Sequence, residues 1–183
     1  MMFRFDQLRA AQAAGFLLKL TGNVANYTWL IKVLYLADRE SLRLVGSPIA
    51  GSSFCNMKNG PLASDIYDCI KGKVGASEEW GRYIVKDGTY DVCLVADPGD
   101  GELSEFDESV LKSLYERHKT HDFKRMIKIV HELDEWKNKQ PEENSSVSLS
   151  HEEILKGAGV EQGRVAEFEE LNRHVAYARR AVG

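Results

Sequence analysis

Residues 26 to 45, "NYTWLIKVLYLADRESLRLV", constrain this chain more than any other stretch. Tyr27, Leu30, Ile31, Leu34, Tyr35 and Leu42 recur at the i, i+3, i+4, i+7 spacing of a helix. Trp29, Val33, Leu36 and Ala37 add apolar surface on the other faces. A helix that is apolar nearly all round must be surrounded by protein, so this segment is predicted to be the centre of the domain. Gly46 and then Pro48 end it. A chain of 183 residues is long enough for one such domain with a sizeable core.

The flanking segments predict a mainly helical α+β domain. A first helix is expected over 6–21, with Asp6 as its cap and Leu8, Ala11, Gly15 and Leu18 at helical spacing. Residues 52–58 read as a short strand. Asn59-Gly60-Pro61 reads as a turn, because Gly tolerates positive φ and Pro fixes its own. A helix over 62–71 follows, with Leu62, Ile66, Tyr67 and Ile70 on one side. "WGRYIVKDGTYDVCLV" is the clearest β signal, with Asp87-Gly88 between two alternating runs. A two-residue turn there sets Val85 opposite Tyr90, Tyr83 opposite Val92 and Gly81 opposite Leu94, and gathers the apolar residues on one face. The hairpin, at about 80–96, belongs to a small antiparallel sheet. Ser104 with Asp107 opens a helix to about 118, and another is expected over 122–136. The domain proper is placed at 1–137. Residues 138–149, polar and containing Pro141, read as a linker or exposed loop. Residues 150–183 read as a helical extension, opened by the Ser150–Glu153 capping pattern and closed by a helix over about 161–180.

Charge and cysteines weigh against some classes. The formal net charge is -4, without the basic surplus of a nucleic-acid reader, so nucleic acid is disfavoured as a partner. Three widely spaced cysteines, Cys55, Cys69 and Cys93, fit a reduced, cytoplasmic setting. No apolar run is long enough to span a bilayer, and Asp6 and Arg9 interrupt the N-terminal segment before it can form a secretion signal.

Candidate chemistry is sparse. His118 and His121 lie three apart, but no further ligand pattern accompanies them, so solvated imidazoles at a helix end are expected, and no metal. His131, beside an apolar stripe, reads either as a general base or as a half-buried imidazole held by backbone, and the absence of a nucleophile motif favours the second. Asp38 falls where the apolar stripe of the central helix predicts its next member. A carboxylate there has to find donors. It either organises a loop, for instance the one through Ser52, Ser53 and Lys58, or serves a site. Arg39 and Lys58 read as solvated charges. No glycine-rich phosphate loop is present, and no cofactor is implied.

The stretch "IKVLYLADRESLRLVGSPIAGSSFCNMKNGPLASDIYDCIKG" resembles the Panacea domain of SocA-like antitoxins, also met among phage-associated proteins. Lys32, Leu34, Tyr35, Leu36, Asp38 and Arg39 carry the likeness, followed by Gly46, Pro48, Ile49, Gly60, Pro61 and Tyr67. "LSEFDESVL" and "HELDEW", with His131 and Trp136, resemble the family's C-terminal half. The resemblance implies a protein-binding domain that neutralises a cognate toxin, encoded beside it, by direct contact, with a protease-adaptor role also within the family's range. It implies no catalytic residue and no cofactor. Lys32, Tyr35, Asp38, Arg39, Lys58, Asn59, Gly60, Pro61, Tyr67, His131 and Trp136 are the family-pattern and partner-contact candidates. Two other functions stay open on the residues alone. One is an enzyme, prophage-encoded as the resemblance to phage-associated proteins implies, if Asp38, Lys58 and His131 meet in a pocket. The other is a nucleic-acid-binding regulator, through Arg173, His174, Arg179 and Arg180.

Overall fold

The computed structural model describes residues 3–73 and 78–182. In chain order the elements are α1 (Gln7–Leu20), β1 (Val24–Asn26), α2 (Tyr27–Val45), β2 (Phe54–Met57), β3 (Gly60–Ala63) and α3 (Ser64–Ile70). A single 3-10 turn over Trp80–Arg82 leads to β4 (Ile84–Asp87) and β5 (Asp91–Leu94). Then come α4 (Glu105–His118), α5 (Phe123–His131), α6 (Asp134–Lys137), β6 (Ser146–Leu149), α7 (His151–Gly157) and α8 (Gln162–Val182). The fold is thus a mainly helical α+β domain. Its strands form two small antiparallel sheets, ordered β1-β5-β4 and β3-β2-β6.

The apolar 26–45 segment is the centre of the molecule. Asn26 caps α2, its side chain accepting from the Thr28 and Trp29 amides, and Gly46 ends the helix in the left-handed region at φ 75°. Leu30, Ile31, Val33, Leu34, Tyr35 and Ala37 are all buried. The helix packs against α1, α4, α5, α7 and β3, which between them cover its faces. Gly46 also admits the ring of Phe168 from α8 so closely that a Cβ would overlap it. Both capping boxes expected from sequence are formed, Ser104 with Asp107 on α4 and Ser150 with Glu153 on α7.

Four local expectations are corrected. The β4–β5 pairing sets Ile84 opposite Leu94, Val85 opposite Cys93 and Lys86 opposite Val92. The connecting loop is three residues, Gly88 to Tyr90, and the odd shift in register turns Val85 and Tyr90 outward while Ile84 and Val92 are buried. Apolar residues occur at both parities of this strand, and burial of Ile84 decides between them. Asn59-Gly60-Pro61 is not the turn: Met57 pairs with Gly60, so Lys58-Asn59 form a two-residue turn and Gly60 and Pro61 begin β3, leaving α3 to start at Ser64. The expected 122–136 helix breaks after His131, because Leu133 is extended (φ -72°, ψ 137°) and redirects the chain into α6. Finally, the stretch read as a linker or exposed loop holds β6, whose residues 146–149 pair with β2.

Candidate functional site

The family-pattern residues of α2 point into the protein, and each meets a specific partner. Lys32 is 1% exposed, and its Nζ donates to the carbonyls of Gly60 (3.0 Å) and Pro61 (2.8 Å). These are the first two residues of β3, so the ammonium ties the central helix to the start of that strand. Burial lowers its pKa to about 7, with the nearby Cys55 thiol acting weakly in the other direction. Gly60 has φ 94°, and a Cβ there would overlap Val130 of α5. Only glycine lets β3 pass this close to α5 while turning its carbonyl to the lysine.

One turn on, Tyr35 and Arg39 converge on Glu135 of α6. The Tyr35 hydroxyl donates to Oε1 at 2.9 Å, and Arg39 Nε donates to the same oxygen at 2.6 Å. Arg39 Nη2 reaches Oε2 at 3.3 Å and the Gly157 carbonyl at 2.7 Å. The Glu135 side chain is 0% exposed, so the charge is fully desolvated and its neutralisation rests on Arg39. Burial, and then the adjacent carboxylate, hold the Tyr35 phenol well above its ordinary pKa. Gly157 is required because a Cβ would strike the Glu135 carboxylate. Arg39 was expected in solvent. The break at Leu133 instead places a carboxylate against it.

Asp38 is buried and accepts from the Ile49 amide at 2.8 Å. It organises a loop, as a stripe-facing carboxylate must, but the loop is the one after α2. Ser52 and Ser53 are held by Asp65 instead. Burial raises the Asp38 pKa to about 7 against the pull of the Ile49 and Ala50 amides. An acid whose pKa rises on folding loses stability as pH climbs from its unfolded value toward its folded one. The parent protein is therefore expected to lose stability between pH 3.8 and about 7 relative to Asp38→Asn, whose curve lacks this slope. Urea denaturation across that range is the check, and parallel curves would refute the assignment.

The remaining candidates lie elsewhere. The His131 ring stacks on Trp136 at 3.8 Å between centroids and 11° between planes, and Trp136 Nε1 donates to the Met57 carbonyl. Burial lowers the His131 pKa, opposed by a hydrogen bond to the Lys58 backbone. Lys58 and Asn59 are exposed at the β2–β3 turn. A shallow pocket of about 200 Å³ is lined by Lys58, Trp136, Gln140, Pro141, Glu142 and Glu143. Tyr67 is half-buried on α3, with the Lys71 ammonium 5.2 Å from its ring centre. Asp38 faces the Ile49–Ala50 loop, while His131 lies against Trp136 and the Lys58 backbone, so the carboxylate of the enzyme reading is apart from the other two residues, which adjoin each other. His118 is not solvated. It is buried, with its Nδ1 3.1 Å from that of His121, and burial lowers its pKa to about 4. No group of three or more His, Cys, Asp or Glu suited to a metal occurs among the described residues.

Sequence reasoning missed Glu135, Asn56 and Gly157. Glu135 stands between Asp134 and Trp136 in the "HELDEW" run, of which only His131 and Trp136 were singled out. Asn56 is buried and donates to the carbonyls of Glu135 and Lys139, both at 2.9 Å. Gly157 reads only as a helix breaker. Two signals were available: the family-pattern Arg39, which needs an acid if it is not in solvent, and the family-like "HELDEW" stretch, which contains Glu135.

A central helix that turns Lys32, Tyr35, Asp38 and Arg39 inward, bound to a strand, a loop and a short acidic helix, defines a scaffold domain. Residues 30–137 match the model of the antitoxin SocA-like family, Panacea domain, and the chain belongs to that family. No curated protein and no solved structure matches the chain. Among the described residues no helix is long and apolar enough to cross a membrane.

Proposed function

We propose that the protein is a cytoplasmic antitoxin that neutralises a partner toxin, encoded beside it, by direct binding, and that it is not an enzyme. The observation that carries this reading is the inward commitment of the α2 motif. Lys32 is taken up by two carbonyls, Asp38 by an amide and Arg39 by Glu135. Membership of an antitoxin family supplies the kind of partner. The reading leaves the outer surface, rather than a cleft, to do the work. Delivery of the bound toxin to a protease is an elaboration of the same contact.

Co-expression tests this. The product of the neighbouring gene is expected to arrest growth alone, to be tolerated with this protein, and to co-purify with it. A toxic neighbour that is neither rescued nor bound refutes the reading. Simple neutralisation leaves the toxin's half-life unchanged, whereas an adaptor shortens it in cells that have the protease and not in cells that lack it.

A further inference from the structure

The β1-β5-β4 sheet has one covered face and one open face. On the covered side Ile84 and Val92 belong to the core and Leu94 packs against it beside α1, where a Cβ on Gly15 would lie 3.6 Å from Leu94. The open side of an antiparallel sheet is ordinarily polar. Here the register aligns Val24, Cys93 and Val85 directly across all three strands. Val24 is 45% exposed, Val85 37%, and Val95, two residues beyond Cys93, is 55% exposed. Single exposed apolar residues are unremarkable, but a row on neighbouring strands, about 4.8 Å apart, is a contiguous patch. The next row on the same face is Asn26, Asp91 and Asp87, and both acids are exposed.

We propose that this open face is where the partner docks, and that the partner presents there an apolar segment flanked by lysine or arginine. The proposal rests on the protein-binding reading above and adds to it a surface and a chemistry. Charge complementarity selects the occupant. The two rows hold acids and no cation, so a second copy that presents this same face offers nothing to Asp87 and Asp91, and the chain as a whole is acidic, at -4. A basic apolar segment fills the valine row and pairs with the acids, which would steer its approach.

The test uses the intact protein and the product of the neighbouring gene. Val24→Asp/Val85→Asp is expected to weaken binding about thirtyfold or more and to abolish rescue, at an unchanged melting temperature. Asp87→Lys/Asp91→Lys, a second variant that leaves the valines in place, is expected to weaken binding about tenfold, and the parent's affinity is expected to fall with added salt. Equal binding by both variants and the parent overturns the surface assignment and leaves the antitoxin reading standing. Failure of the parent itself to bind or rescue overturns both. Light scattering that shows a parent dimer, lost in Val24→Asp/Val85→Asp without loss of rescue, assigns the face to self-association and also overturns the proposal.

Discussion

Glu135→Ala is expected to lower the unfolding free energy by about 3–5 kcal/mol, the ordinary cost of removing one partner from a buried ion pair. The substitution leaves the Arg39 guanidinium only 17% exposed with its carboxylate gone, and leaves the buried Tyr35 hydroxyl without its acceptor. Urea denaturation should report the loss as a shifted midpoint at similar slope. Two controls separate the terms. Tyr35→Phe removes one hydrogen bond and is expected to cost about 1 kcal/mol. Arg39→Met/Glu135→Leu removes both charges together and is expected to recover much of the loss, since apolar replacements of buried pairs are often near neutral. A Glu135→Ala protein as stable as its parent would mean that α6 does not brace α2 through this carboxylate.

The second large effect is a pH dependence assigned to Lys32. Its folded pKa of about 7 lies below the ordinary 10.5, so on falling pH the unfolded chain takes up a proton that the folded protein does not. Stability is therefore lost as pH falls from 10.5 to about 7 and changes no further, on this account, below that. The full span corresponds to about 4–5 kcal/mol. Other groups titrate in the same range, so the comparison is with Lys32→Met, which has the length of the stem and no titratable head. The parent is expected to gain several kcal/mol relative to Lys32→Met between pH 7 and 10.5. Denaturant midpoints measured at intervals over that range provide the curve. A constant difference between the two proteins would show that the ammonium finds solvent or a counter-charge.

Periodicity was enough to reveal α2, because a helix apolar on every face has only one place to go. The capping boxes of α4 and α7 were equally readable, since their determinants lie within four residues of each other. The errors came where two local solutions were nearly equal and a distant contact chose between them. The Asp87-Gly88 pair suits a two-residue turn, but burial of Ile84 selected the three-residue one. The 122–136 segment is helical in pattern, and its break at Leu133 makes sense only once Glu135 has to meet Arg39. Residues 146–149, Ser-Val-Ser-Leu, alternate over only four positions within a polar stretch and become a strand because β2 offers an open edge. In the candidate site, Asp38 could be singled out because it interrupts an apolar stripe. The acceptor of Arg39, nearly a hundred positions away, lies in the family-like "HELDEW" stretch, but nothing in its spacing ties it to the arginine.

The pairing of β2 with β6 has a consequence for the newborn chain. Phe54 faces Leu149, so the second sheet cannot be finished until the chain has emerged at least through residue 149. Until then β2 is held by β3 alone, and one rim of that hairpin stays open to any passing strand. Closing so wide a span is slow compared with the local hairpin that precedes it. A protein assembled in this order has an interval, during each round of translation, in which the β2–β3 hairpin has been made and the strand that seals it has not.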